Sequence, residues 1–333
     1  MSTHDHPAPD QPISFLTIIA HHGKAGHMAR FALENGALAA YHSYAHGTVP
    51  GHILSLLGLS GVRRELVTLP VPRDLGPQLL DRLCQEFHID KETNGIAFLQ
   101  SGEMKGPDEP PSEYVLIAAV VNEGDGEYVV ESARKSHPVG ASILRALGSA
   151  DHSKKTFDFD IIPQKEVVLI VAKSCYLDKL YKAIYEEMAS EAPGRGILFT
   201  MALDQVAGML DTALDCDDEE DPDNSPVPQD TASGQNALLI MTDRGHSAEI
   251  VVSVEQCGGT GATIIHFRRT DTGSRGWYGP LGDLEKELVL TITSPGTADC
   301  ITDELLRSFK KETDRPLSIG SLPVMHFIKL SGE

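Results

Sequence analysis

The chain has 333 residues, of which 41% are apolar and 23% charged, a balance that suits a folded protein and not a disordered one. Against 28 Lys and Arg stand 48 Asp and Glu, and the formal charge of −20 argues against nucleic acid, whose binding depends on neutralised phosphates. No run approaches the length of a membrane span, and Met1 to Pro12 is polar, without the charged-then-apolar layout of a secretion signal, so the expectation is a cytoplasmic protein with no membrane span. A small anion can still bind such an acidic chain where a few backbone amides and a cation or two converge. The cysteines (Cys84, Cys175, Cys216, Cys257, Cys300) are odd in number and form no Cys-x-x-Cys pair, which predicts buried free thiols and not a zinc knuckle or dithiol centre.

Placing residue n beside n+101 and n+222 aligns three segments, and the elements then read in parallel. A first strand carries Phe15, Thr17 and Ile19, matched by Leu116, Ala118 and Val120 and by Ala237, Leu239 and Met241. Gly23, Gly124 and Gly245 follow, and then a helix with apolar residues at i, i+1 and i+4: Met28, Ala29, Ala32; Val129, Val130, Ala133; Ile250, Val251, Val254. A turn of small residues leads to a second strand, which runs into Gly47-Thr48, Gly148-Ser149 and Arg269-Thr270. A variable loop precedes Arg64-Glu65, Lys165-Glu166 and Lys286-Glu287, basic-acidic pairs that open a third strand and read as sheet-edge charges. The second helix shows Leu79, Leu83, Phe87; Leu180, Ile184, Met188; Ile301, Leu305, Phe309. A glycine turn and last strand close each segment at Gly95 and Gly196, and three extra residues put Gly320 opposite them in the third.

Each segment thus reads β-α-β-β-α-β, the ferredoxin-like order, in an α+β chain. Such a unit leaves one apolar sheet face uncovered, and three copies bury it by packing inward around a pseudo-threefold axis, as a single-chain pseudo-trimer that needs no second chain. The expected domains are residues 13–101, 113–209 and 236–330, joined by a linker over 102–112 and an acidic one over 210–235. Seven of the nine residues from Asp215 to Asp223 are acidic, so the second linker is expected to be a solvated tether.

Several motifs in this order resemble the PII-like proteins of the nitrogen regulator superfamily. They are Val121-Asn-Glu-Gly-Asp-Gly126, Gly148-Ser-Ala150, Gln164-Lys-Glu-Val-Val-Leu-Ile170, Pro193-Gly-Arg-Gly-Ile-Leu-Phe199 with Leu203-Asp-Gln-Val-Ala-Gly208, and Gly261-Ala-Thr-Ile-Ile-His266. The resemblance implies a regulator and not an enzyme, one that binds ATP, ADP or AMP in clefts between neighbouring domains and acts on a protein target such as a transporter or enzyme. It implies one wall from the base of the exposed loop and the glycine loop, the other from the neighbour's second and third strands. The residues so indicated are Gly47, Thr48, Gly148, Ser149, Arg269 and Thr270 at the loop bases, Gly95, Gly194, Arg195 and Gly196 in the glycine loops, and the strand hydroxyls Ser142 and Thr263.

Read for their chemistry alone, Gly194-Arg195-Gly196 offers backbone amides and a phosphate fork, or else an ordinary tight turn. Arg315 to Gly320 in the third segment lacks the glycine pair, so the three clefts are expected to differ. Eight of the fourteen histidines lie before residue 53, among them His21, His22, His27, His42, His46 and His52. A metal-binding trimer is therefore an alternative, beside a ligand-free scaffold, although no His-x-x-x-His pair falls within one predicted helix. No Gly-x-Ser-x-Gly, His-Glu-x-x-His or Walker sequence occurs, and no cofactor is implied. Deleting residues 215–230 is expected to move the melting temperature by less than about 5 °C in a thermal melt, because a solvated tether contributes no packing.

Overall fold

The computed structural model describes residues 12–48, 62–91, 94–102, 111–149, 155–156, 159–160, 163–189, 196–209, 234–270, 285–309 and 317–330. Over these residues the molecule is mixed α/β, with six α-helices and one large antiparallel sheet. The first segment runs β1 (Ile13–His21), α1 (Ala25–Glu34), β2 (Tyr41–Gly47), β3 (Val62–Pro72), α2 (Gly76–Phe87) and β4 (Gly95–Ser101). The second runs β5 (Tyr114–Asn122), α3 (Gly126–Ser136), β6 (Ala141–Gly148), β7 (Gln164–Lys173), α4 (Leu177–Ala189) and β8 (Gly196–Leu203), followed by the short β9 (Gln205–Ala207). The third runs β10 (Gln235–Asp243), α5 (Ser247–Gln256), β11 (Thr263–Arg269), β12 (Glu285–Thr293), α6 (Pro295–Phe309) and β13 (Ser318–Val324), then β14 (His326–Leu330). The acidic stretch from Asp215 to Asp223 and most of the first linker lie outside the described residues.

Strand order is β4-β1-β3-β2 in the first segment, β8-β5-β7-β6 in the second and β13-β10-β12-β11 in the third. The second strands then meet one another. Gly47 pairs with Ser142, Gly148 with Thr263, and Arg269 with Tyr41. The next backbone N–H in each case donates to the following segment: Thr48 to Ala141 O at 3.0 Å, Ser149 to Ala262 O at 2.7 Å, and Thr270 to Ala40 O at 2.9 Å. These three seams therefore run first to second, second to third and third to first. The tails repeat the circuit in the other direction. β9 pairs with β4, β14 pairs with β8, and Gly102 lies against Ser321 of β13.

Strand alternation sorts the core into four clusters. Leu16, Ile18 and Ala20 face α1 and α2, whose buried residues include Met28, Ala32, Leu79 and Leu83. The second and third segments build equivalent helix-sheet cores around Ile117 and Ile184, and around Ile240 and Ile301. The opposite sheet faces share one central cluster, in which Ile19, Phe98, Phe199, Met201, Met241 and Leu322 come together from all three segments. Burial on both faces explains why β5 reads as an almost unbroken apolar run.

Three sequence expectations need correction. The pairs Glu65, Glu166 and Glu287 are not sheet-edge charges. Glu65 Oε2 accepts from the N–H of Ala25 at 2.9 Å, Glu166 Oε2 from Gly126 at 2.8 Å, and Glu287 Oε2 from Gly245 and Ser247 at 3.0 and 3.2 Å. A helix start leaves amides without partners, and no side chain caps these helices locally, so a strand-borne carboxylate does so from about forty residues away. Second, the last strand of the third segment needs no inserted residues. Ser318 pairs with Met241 as Ile96 does with Ile19 and Ile197 with Val120, which puts Leu317, not Gly320, at the place of Gly95 and Gly196. Third, Cys257 and Cys300 are not free thiols but a disulfide with Cα atoms 5.8 Å apart, because α5 and α6 lie side by side and close a sequence separation of 43. Cys84 is free and half-buried, and burial, with Asp81 and Asp90 nearby, pushes its thiol up to about 11.

Gly320 instead occupies the place of Phe98 and Phe199 in the central cluster, and a Cβ there would come within 2.2 Å of the Phe15 ring. The missing aromatic is thus replaced by one reaching across from the first segment. Gly320→Phe is expected to destabilise the chain by about 1–3 kcal/mol through overpacking. Phe15→Leu should recover part of that loss, since Leu116 holds the place of Phe15 in the second segment; a double-mutant cycle from denaturant melts measures the coupling.

Candidate functional site

The seam between the first two segments opens into a cleft of about 660 Å³. One wall comes from the first segment: Gly47 and Thr48 at the end of β2, Arg64 on β3, and Gly95 and Ile96 at the start of β4. The other comes from the second segment, with Ala141 and Ser142 on β6, Leu169 and Val171 on β7, and Arg134, His137, Lys173 and Tyr176 around them. Val206, Gly208 and Met209, from the tail behind β8, complete it.

Local geometry explains several of these residues. Gly95 has φ of +143°, and a Cβ there would lie 2.5 Å from Ile19 O, so the chain enters β4 only as glycine. Gly47 is small for a different reason, since a Cβ would sit 3.1 Å from Arg64 Cγ. The Arg64 side chain lies across the gap that Gly47 leaves. Its Nη1 is buried and has no hydrogen-bond partner among the described residues, and burial holds its pKa below the usual guanidinium range.

Arg134, by contrast, is committed. It donates through Nη2 to Thr48 O at 3.2 Å and Thr48 Oγ1 at 3.0 Å, through Nε to Val139 O at 3.1 Å, and through Nη1 to Glu131 at 2.7 Å. The Thr48 hydroxyl also accepts from Ala141 N–H at 3.2 Å. Arg134 and Thr48 thereby clamp the base of the loop that follows β2 against the second segment. His137 stacks on Tyr176 with ring centroids 3.7 Å apart, and burial, then the charge of Lys179, lowers its pKa.

Of the residues indicated by sequence, the structure brings Gly47, Thr48, Gly95 and Ser142 together in this cleft. Gly148, Ser149 and Thr263 meet at the second seam, where the Ser149 hydroxyl accepts from Ala262 N–H at 3.2 Å. Arg269 and Thr270 lie at the third, with Thr270 Oγ1 3.4 Å from His42 Nδ1. Gly196 opens β8 at φ +148°, while Gly194 and Arg195 lie outside the described residues. Arg64 was missed, although its place in the basic-acidic pair was visible. The histidines do not assemble: among the described residues no group of three His, Cys, Asp or Glu is gathered as a metal site, and His52 lies outside them. His22 instead contacts Glu65 at 3.0 Å and His46 contacts Glu127 at 3.6 Å. Among the described residues no helix is long and apolar enough to cross a membrane.

No protein-family model matches the chain, and no curated protein matches it. Among solved structures, a crystal structure of aspartate kinase from Synechocystis is similar at a TM-score of 0.22 and 10% identity, over 93% of this chain and 44% of that one. The chain spans less than half of that protein's length, and a likeness this slight carries neither a fold nor an activity.

The lowered pKa of His137 fixes the sign of a pH effect. In the unfolded chain a histidine takes up its proton near pH 6.5, and in the folded one only at lower pH, so the unfolded state binds more protons between the two values. That contribution to stability is whole above about pH 6.5 and is lost as pH falls towards the folded value. His42 and His326, whose pKa values burial also lowers, act with the same sign. Thermal melts are expected to show a lower melting temperature at about pH 5.5 than at about pH 7.5. In His137→Phe, which keeps a ring against Tyr176 but does not titrate, the fall should be smaller, with His42 and His326 accounting for what is left.

Proposed function

We propose that the three segments are copies of one ferredoxin-like unit, closed into a single-chain pseudo-trimer, and that the chain is a PII-like regulator. It senses an adenine nucleotide at the seam between units one and two and signals by protein contact. The shared strand order, the circuit of seams at constant offset and the three strand-borne carboxylate caps support the architecture. The resemblance carried by the loop bases, glycine loops and second strands supports the ligand class.

One observation carries the functional reading: Arg64 Nη1 is buried at the cleft without a partner among the described residues. A guanidinium donor withdrawn from water and left unpaired is costly, and native proteins leave few such groups unless a ligand, ion or water satisfies them. An incoming phosphate supplies the acceptor, and Arg64 presents the planar fork that matches it. The cleft volume of about 660 Å³ falls within the range of roughly 300–1,000 Å³ of small-molecule sites. Lys173 adds a cation on the opposite wall in a chain whose formal charge is −20.

Calorimetric titration of ATP, ADP and AMP into the full chain is expected to show saturable binding. Arg64→Ala should weaken it by about ten- to a hundredfold, the loss of one charge-assisted contact. Arg63→Ala, exposed and one position earlier, should leave affinity within about twofold, as expected for a solvated charge. A wild-type chain that binds none of the three nucleotides at about millimolar concentration rejects the sensor reading.

A further inference from the structure

The three seams share one backbone plan but not one set of charges. At the first seam, unit two presents Arg134, His137 and Lys173. At the same offset unit three has Glu255, Gly258 and Ser294, and unit one has Leu33, Gly36 and Pro72. The opposing cation differs as well. Arg64 keeps a buried Nη1 without a partner among the described residues. Its equivalent Lys165 donates to Asn122 Oδ1 at 2.7 Å, and the next, Lys286, is buried in an ion pair with Asp243. A cation already satisfied by its own protein gains less from an added anion, because its old bonds must be broken or shared.

We infer that the chain holds a single anion site, at the first seam, where Arg64 contacts the ligand's phosphate. At the other two seams the corresponding cation is absorbed into the fold, by Asn122 in unit two and Asp243 in unit three. The inference rests on the nucleotide reading of the cleft and fixes its stoichiometry. One chain takes up one nucleotide, and the binding curve is hyperbolic, because no second site exists to couple with the first.

The test is calorimetry of ATP with the full chain and its variants, each first shown by thermal melting to be folded. The expected result is one site per chain, weakened about tenfold or more in Arg64→Ala. Lys165→Ala, at the second seam, should leave affinity and stoichiometry unchanged. Arg64→Lys keeps the charge without the fork and should bind at intermediate strength, so a simple failure of the alanine variant to fold does not leave the question open. Two or three sites per chain overturn the single-site inference and leave the nucleotide reading standing, and so does a loss in Lys165→Ala that matches the loss in Arg64→Ala. Absence of any nucleotide binding by the wild-type chain removes both.

Discussion

A four-stranded sheet with helices on one face has a second face that must be kept from water, and the rest of this structure follows from how that face is buried. Ile19, Phe98, Val120, Phe199, Met241 and Leu322 are apolar on the side away from the helices, and they meet in one central cluster. Apolar burial of this kind is the main favourable term in folding, at roughly 25 cal/mol for each Å² removed from water. Three sheets that share a core must also bring edges together. Here the edge left on each second strand is joined to its neighbours by Gly47–Ser142, Gly148–Thr263 and Arg269–Tyr41, and the opposite edges of β4 and β8 by the tails β9 and β14. The exposed strand edges that such small sheets would otherwise present are paired within the one chain.

The seams that result are held largely by backbone groups. The N–H of Thr48, Ser149 and Thr270 and the carbonyls of Ala141, Ala262 and Ala40 make the joint whatever the side chains nearby. Side chains on the seam walls can therefore differ with little cost to closure, and they do: Arg134 stands where the third segment has Glu255 and the first has Leu33. The carboxylate caps behave in the opposite way. The amides at the start of α1, α3 and α5 have no local side-chain cap, and a strand glutamate meets them at all three places.

Sequence pattern made the elements legible because each depends on short-range periodicity. The apolar i, i+1, i+4 faces of α1, α3 and α5 and the alternation along β1 are visible in any one segment, and the offset alignment reinforces them. Gly47, Thr48, Gly95 and Ser142 were also within reach, since the family resemblance implied that loop base and glycine loop face a neighbour's second strand. What escaped depends on pairing over distance. Glu65 looks like a surface charge until the strand pairing brings it to the start of α1. Gly320 looks like the glycine of a turn, and only its register against Leu239 shows that it makes room for Phe15. Cys257 and Cys300 are far apart until α5 and α6 are laid side by side. Arg64 belongs to a visible pair, yet the property that singles it out, a buried donor left unpaired, belongs to the assembled cleft and not to the residue.

Fusion into one chain changes what such an architecture can become. In a homotrimer built from identical subunits, every substitution appears at all three interfaces at once, so a change that closes one site closes them all. In a single chain each seam is encoded separately. Phe15 can fill the space left by Gly320 without two further copies of the same exchange, and Lys286 can be tied to Asp243 while Arg64 Nη1 has no partner among the described residues. On the proposed reading, that freedom leaves two seams to hold the fold and one to meet a ligand. The first seam keeps its own clamp in the bonds from Arg134 to Thr48, beside the Arg64 Nη1 that has no partner among the described residues. The buried Arg64 Nη1 thus stands on one wall, next to the joint that Arg134 makes with Thr48.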